Sequence, residues 1–284
     1  MGGWSGSSLK SADIVPSITN KNCGLPPLPI GISASPSLIL TQNQEILICG
    51  GYNNEKTCLE MKQNNWEHHS SNLNEKRRLA SAVSMPTGVF IFGGEESKTT
   101  WEWLPSGTKV WKNGGTIPGS GFREGCAVQT SKNEIALIGG EDTEKQILKF
   151  NIESKKWTNY GNVLKQDRKF HSCVLFDKQI IVSGGHVYPD YLSSTEIIDI
   201  QDLTTSKLSS NMVKSRSWHG LVVAHVQNKL SVLAIGGYNS NDKYLDSIEI
   251  WNPTTKTWTM SDMKLSEGKG SFGYASVPTH LVCS

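Results

Sequence analysis

The sequence predicts an all-β chain built from repeated units and closed into a ring. Three phased landmarks carry that expectation. Glycine pairs stand at Gly50-Gly51, Gly93-Gly94, Gly139-Gly140, Gly184-Gly185 and Gly236-Gly237, with 43, 46, 45 and 52 residues between successive first glycines. A tryptophan follows most pairs, at Trp66, Trp111, Trp157 and Trp258. A basic residue follows each of these after 11 or 12 positions, at Arg78, Arg123, Arg168 and Lys269. Periods of this size mark solenoids, propellers or arrays.

Taken in order, each pair closes a short apolar run: EILICGG, GVFIFGG, EIALIGG, QIIVSGG and SVLAIGG. Runs of β-formers stopped by glycine read as buried strands. The fourth unit departs from the pattern, with Leu208 in the tryptophan position and Arg216 only eight residues later. At the chain ends the spacing continues. Gly2-Gly3 precedes Gly50 by 48 residues, and DIVPSITNKNC (13–23) matches IEIWNPTTKTW (248–258) in length, with Cys23 in the tryptophan position and Ala34 in the basic one. The opening pair therefore reads as a sixth copy, and the chain as cut inside a repeat.

These landmarks resemble the kelch repeat, most closely in RKFHSCVLFDKQIIVSGG and RSWHGLVVAHVQNKLSVLAIGG, which share an Arg-x-x-His start. The resemblance implies a six-bladed kelch-type β-propeller, four antiparallel strands to a blade. One domain, 1–284, is expected, with the blade shared between 1–28 and 266–284 closing the ring. Closure by a shared blade would remove the bare face and unpaired edge of an open array. The tryptophans are expected to pack between blades.

Bulk composition narrows the function. The 284 residues carry 28 basic and 26 acidic side chains, so general affinity for nucleic acid or an anionic membrane is not expected. No apolar stretch approaches the roughly 20 residues of a membrane helix, and Gly6 stands where a myristoylation signal needs Ser or Thr. Cys23, Cys49, Cys58, Cys126, Cys173 and Cys283 show no CxxC spacing and read as buried free thiols; with no Asn-x-Ser/Thr sequon, a cytoplasmic setting is favoured over a secreted one.

His171 and His219, three residues after Arg168 and Arg216, fall on innermost strands, where a metal is conceivable but a plain repeat position is the simpler account. A copper-radical oxidase of the kelch type would need tyrosine ligands beside Cys126 or Cys173, and none matches. No catalytic residue, metal or cofactor is expected.

A binding face has more support. Antiparallel strands bring the start of strand one and the loop after each glycine pair to the same side. That side would carry Arg78, Arg123, Arg168, Arg216 and Lys269, together with Tyr52, Asn53, Asn54, His186, Tyr188, Tyr238, Asn239 and Trp4. In ubiquitin-ligase adaptors of the kelch family, arginines at this position hold an acidic peptide, which the resemblance carries to Arg168 and Arg216 as the best matches. The competing account pairs the arginines with Glu95, Glu96, Glu141 and Asp142. The expected function is a non-catalytic, monomeric protein-interaction module for a protein or acidic peptide. The alternatives are an oxidase- or isomerase-like propeller enzyme and a secreted structural propeller.

Overall fold

The computed structural model describes residues 1–15, 25–33, 37–41, 43–278 and 281. Among these there is no α-helix, and the strands assemble into five antiparallel four-stranded blades. Blade 1 is β1 (Ser37–Leu40), β2 (Ile46–Cys49), β3 (Cys58–Lys62) and β4 (Asn65–His68). Blade 2 is β5 (Ser81–Met85), β6 (Gly88–Phe92), β7 (Thr100–Pro105) and β8 (Lys112–Thr116). Blade 3 follows as β9 (Cys126–Ser131), β10 (Glu134–Ile138), β11 (Gln146–Asn151) and β12 (Lys156–Asn162).

Blade 4 contains β13 (Ser172–Phe176) and β14 (Gln179–Ser183), then a hairpin of β15 (His186–Val187) and β16 (Asp190–Tyr191), then β17 (Thr195–Asp199) and β18 (Asp202–Leu208). Blade 5 repeats that plan with β19 (Gly220–Val226), β20 (Lys229–Ile235), the hairpin β21 (Tyr238–Asn239) and β22 (Lys243–Tyr244), β23 (Ser247–Asn252) and β24 (Thr257–Lys264). First strands of successive blades are neighbours: β1 with β5, β5 with β9, β9 with β13, and β13 with β19. This is a β-propeller.

Second strands such as β2 and β6 are buried at every position, because each is covered on both faces by a neighbouring blade or by the terminal segments. The cores accordingly lie between blades. Val83 and Phe90 of blade 2 pack with Ile135 and Phe150 of blade 3, and Ile181 and Ile197 of blade 4 with Leu221 and Trp251 of blade 5. The chain ends supply the two remaining seams: Met1, Leu28 and Ile32 pack on Ile46 and Ile48 of blade 1, while Leu265 and Phe272 pack on Leu233 and Ile235 of blade 5.

The blade count is a correction: five among the described residues, not six. Where a shared sixth blade was expected, the described terminal segments meet without forming a four-stranded sheet. They are nonetheless bonded to each other. Trp4 N–H donates to Gly270 O at 2.8 Å, Gly270 N–H returns to Trp4 O at 3.1 Å, and Gly273 N–H donates to Met1 O at 3.0 Å. Cys23, Ala34, His280 and Cys283 lie outside the described residues.

The second glycine of every pair makes one repeated bond to the next sector. Its N–H donates to the carbonyl of Ile32 from Gly3, Arg77 from Gly51, Phe122 from Gly94, Arg168 from Gly140, Arg216 from Gly185 and Lys269 from Gly237, at 2.7–3.1 Å. Gly140 shows why a side chain is excluded: its φ is 101°, and a Cβ would lie 2.3 Å from Arg123 O. Gly2-Gly3 thus behaves as a sixth copy of the seam even though the described residues form no sixth four-stranded sheet.

The tryptophans pack toward the preceding sector. Trp258 joins Ile181 and Ile197 of blade 4 and donates its Nε1–H to Thr195 Oγ1 at 2.9 Å; Trp157 stands edge-on to Phe92 of blade 2 at 6.0 Å. In blade 4 the equivalent position is Leu203, buried against blade 3, rather than the expected Leu208, which is exposed.

The cysteines also differ from expectation. Cys49 is bonded to Cys58 between β2 and β3, and Cys126 to Cys173 between the inner strands of blades 3 and 4.

Candidate functional site

The entry to each first strand holds a non-glycine residue in the left-handed region. Leu79, Glu124, Phe170, Trp218 and Ser271 have φ of 58°, 60°, 54°, 54° and 55°. They form a belt around the axis in which the last four each donate their N–H to the previous member's carbonyl: Glu124 to Leu79 at 3.1 Å, Phe170 to Glu124 at 2.6 Å, Trp218 to Phe170 at 2.9 Å and Ser271 to Trp218 at 2.9 Å. Bulky residues adopt such backbone only where the surroundings over-determine it.

The belt fixes the phase of the repeat and corrects the sequence alignment by one residue. Two positions before the belt stand Arg77, Phe122, Arg168, Arg216 and Lys269; Arg78 and Arg123 stand one position later, with Lys169 and Ser217.

The earlier position points inward. Arg168 and Arg216 are 0% exposed and Lys269 1%, so none can anchor a partner on the surface, which corrects the role expected of them. Arg168 Nη2 donates to Glu196 Oε1 at 2.7 Å and Nη1 to Gly184 O at 2.7 Å. Arg216 does the same with Glu249 at 2.9 Å and Gly236 O at 2.7 Å, while Arg77 donates from Nε to Glu102 at 2.7 Å and from Nη1 to Gly93 O at 2.6 Å. Lys269 reaches Ser11 and, at 2.6 Å, Asp13 across the junction of the two chain ends. Burial pushes the Asp13 carboxyl up, but hydrogen bonds from Lys269 and Ser266 outweigh it and hold it below the usual range. Blade 3 places Phe122 and Leu148 in one apolar cluster where blades 2, 4 and 5 place the ion pair.

At the later position Arg78, Arg123 and Lys169 are half-buried, while Ser217 is buried. Arg78 lies between Glu95 at 2.8 Å and Glu96 at 3.0 Å, with its guanidinium 5.5 Å from the centroid of the exposed Tyr52 ring. Arg123 is 3.7 Å from Glu141 and 4.0 Å from Asp142. Blades 2 and 3 therefore present charges that are already paired. Asn53 is an exposed turn residue at φ 65°. Asn239 is buried, donating to Ser215 O at 3.0 Å and Asp242 Oδ2 at 3.1 Å, so it braces a turn rather than facing a partner.

Blades 4 and 5 present something different. Their hairpins bridge back to the strand entries, His186 to Lys169 and Tyr238 to Ser217. This brings half-buried rings into one chain: Phe170 to Trp218 at 4.5 Å, Trp218 to Tyr238 at 5.9 Å, Tyr238 to Tyr191 at 5.5 Å and to Tyr244 at 5.1 Å, and Tyr191 to His186 at 4.7 Å. Tyr188, at the tip of the first hairpin before a cis Pro189, is 88% exposed. Trp4 is itself exposed. Sequence reading placed His186, Tyr188 and Tyr238 on this side but missed Phe170, Trp218, Tyr191 and Tyr244. The shared Arg-x-x-His frame was the available signal for the first two, since it puts Phe170 and Trp218 at one repeat position.

A family model described as the KLHDC2/KLHL20/DRC7 Kelch-repeats domain matches residues 102–277, more than half of the chain. The chain belongs to the kelch-repeat family. Among solved structures the kelch ring is similar to one titled "Structure of YjhT", at 12% identity and a TM-score of 0.67, over 84% of this chain and 86% of that one. At that identity the likeness shows the fold alone. No curated protein matches this kelch chain.

Inside the kelch ring, His171 and His219 are buried one step below the belt, beneath Gly139 and Gly184. Burial, then the charge of Arg168, drives the His171 imidazole down to about 3, against weak opposition from the Ile138 and Arg168 carbonyls. His219 is likewise driven well down by burial and Arg216, and one of its nitrogens meets Ser183 Oγ at 3.1 Å. Among the described residues, no three His, Cys, Asp or Glu side chains are grouped to hold a metal ion. Both rings are neutral when folded and take a proton when unfolded below about pH 6.5, so stability falls as pH drops from there toward 3. Urea midpoints between pH 7 and 4 should fall in the wild type and flatten in His171→Phe/His219→Phe, since Phe272 already occupies the equivalent position under Gly236.

Proposed function

We propose that this chain is a single-domain, non-catalytic protein-interaction module whose partner docks on the side carrying the belt and the hairpins of blades 4 and 5. The observation that carries the reading is the continuous aromatic surface from Phe170 to Tyr244 beside the fully presented Tyr188. Rigid aromatic side chains at the centre of an interface supply much of its energy, whereas charges already paired at the rim supply little. Blades 2 and 3 fit the rim, with Arg78 and Arg123 held by the acidic loops. With Arg168, Arg216 and Lys269 buried, the argument for an acidic partner loses its anchors. The two disulfides favour an oxidising compartment over the cytoplasm first expected.

The test is selection of a displayed random dodecapeptide library on the folded protein. Synthetic copies of the selected peptides should lose at least about tenfold in affinity, about 1.4 kcal/mol, on Tyr188→Ala/Tyr238→Ala, with the unfolding midpoint unchanged. A library that yields no binder, or binders indifferent to this double variant, rejects the docking side.

A further inference from the structure

A cavity of about 170 Å³ runs along the propeller axis beneath the belt, lined by Glu124, Phe170 and Trp218 and by His171, His219 and Tyr274. Its wall holds unpartnered polar atoms on Glu124 and His219. Glu124 is 9% exposed, and its Oε2 makes no hydrogen bond. Nδ1 of His219 makes none either, and a neutral imidazole offers one donor and one acceptor. The Tyr274 hydroxyl already donates to Ser172 Oγ at 3.1 Å.

The charged groups around Glu124 are Glu141, Asp142, Lys169, Arg123 and Lys98, and the cations among them are engaged. Lys169 Nζ is held by Glu141 Oε2 at 2.6 Å and stays 3.9 Å from Glu124 Oε2. Arg123 stands 3.7 Å from the other Glu141 oxygen, and Lys98 takes Asp142 at 3.2 Å. Beside Glu124 in the belt stand the Phe170 and Trp218 rings, whose faces attract cations; Lys169 already lies 5.6 Å over Phe170.

We propose that the axial mouth receives one cationic side chain, lysine or arginine, from the docked partner, with the Glu124 carboxyl accepting its N–H and the Phe170–Trp218 pair flanking its stem. This rests on the docking side proposed above and adds its chemical preference. An acidic side chain would bring a third carboxyl against Glu124 and Glu141. Burial, then Glu141, pushes the Glu124 carboxyl up to about 8, while hydrogen bonds from Glu124 and Lys169 bring Glu141 down to about 2. At pH 7 Glu124 therefore carries a proton when the site is empty. The entering cation takes the place of that proton, which leaves to solvent.

The same dodecapeptide selection separates the two proposals. Lysine or arginine should be enriched about tenfold at one position, and Glu124→Gln, which mimics the protonated carboxyl and should fold, should abolish the enrichment. Calorimetry of a selected peptide at pH 7, in two buffers of different ionisation enthalpy, should show release of about one proton, absent in Glu124→Gln. Binders with no cationic preference, a preference that survives Glu124→Gln, or binding without proton release overturns the cation proposal and leaves the docking side standing. No binder at all removes both.

Discussion

Replacing Arg216 with alanine is expected to destabilise the ring by about 3–5 kcal/mol, the cost of leaving a buried carboxylate without its partner. Glu249 is 0% exposed and would keep only the Val213 and Lys214 N–H groups as donors. The guanidinium also ties together the ends of β20 and β23, through Gly236 O at 2.7 Å and Ser247 O at 2.9 Å. Burial lowers the Arg216 pKa from its ordinary value and Glu249 opposes this. Blade 3 indicates the compensating change, because Phe122 and Leu148 replace the pair with apolar contact. The double variant Arg216→Phe/Glu249→Leu should therefore be more stable than Arg216→Ala or Glu249→Ala. Urea unfolding of the three variants decides it. A double variant less stable than both singles would show that blade 3 depends on more than this exchange.

Removing the bond between Cys126 and Cys173 with paired serines should cost about 4 kcal/mol, from the entropy of releasing a loop of that length in the unfolded chain. The two residues are 47 apart in sequence and join blade 3 to blade 4. The same change should raise the urea m-value, since the unfolded chain becomes less compact. An unchanged midpoint and m-value would show that the crosslink does not restrain the unfolded state. The bond between Cys49 and Cys58 spans only 9 residues of a hairpin already paired in register, so its removal should cost less.

The strand pattern was readable because it is local. An apolar run ending in two glycines needs no knowledge of distant residues, and all six pairs, including Gly2-Gly3, make the seam bond. The arginine position was misread at Arg78 and Arg123 because two adjacent basic residues, Arg77 and Arg78, fit the spacing equally well, and Phe122 masks the position in blade 3. Only the belt of positive φ values separates them. Burial of Arg168 and Arg216 was hidden for a related reason: their glutamates lie 28 and 33 residues downstream, on strands whose placement depends on the closed blade.

Repeat period, strand positions and kelch membership follow from short-range pattern, because a blade is specified by some 45 consecutive residues each meeting its own neighbours. Blade number, cysteine pairing, the inward turn of the arginines and the joining of aromatic rings from two hairpins depend on which surfaces meet once the ring closes. Those contacts are set by packing between residues far apart in the chain, and a linear spacing carries no record of them.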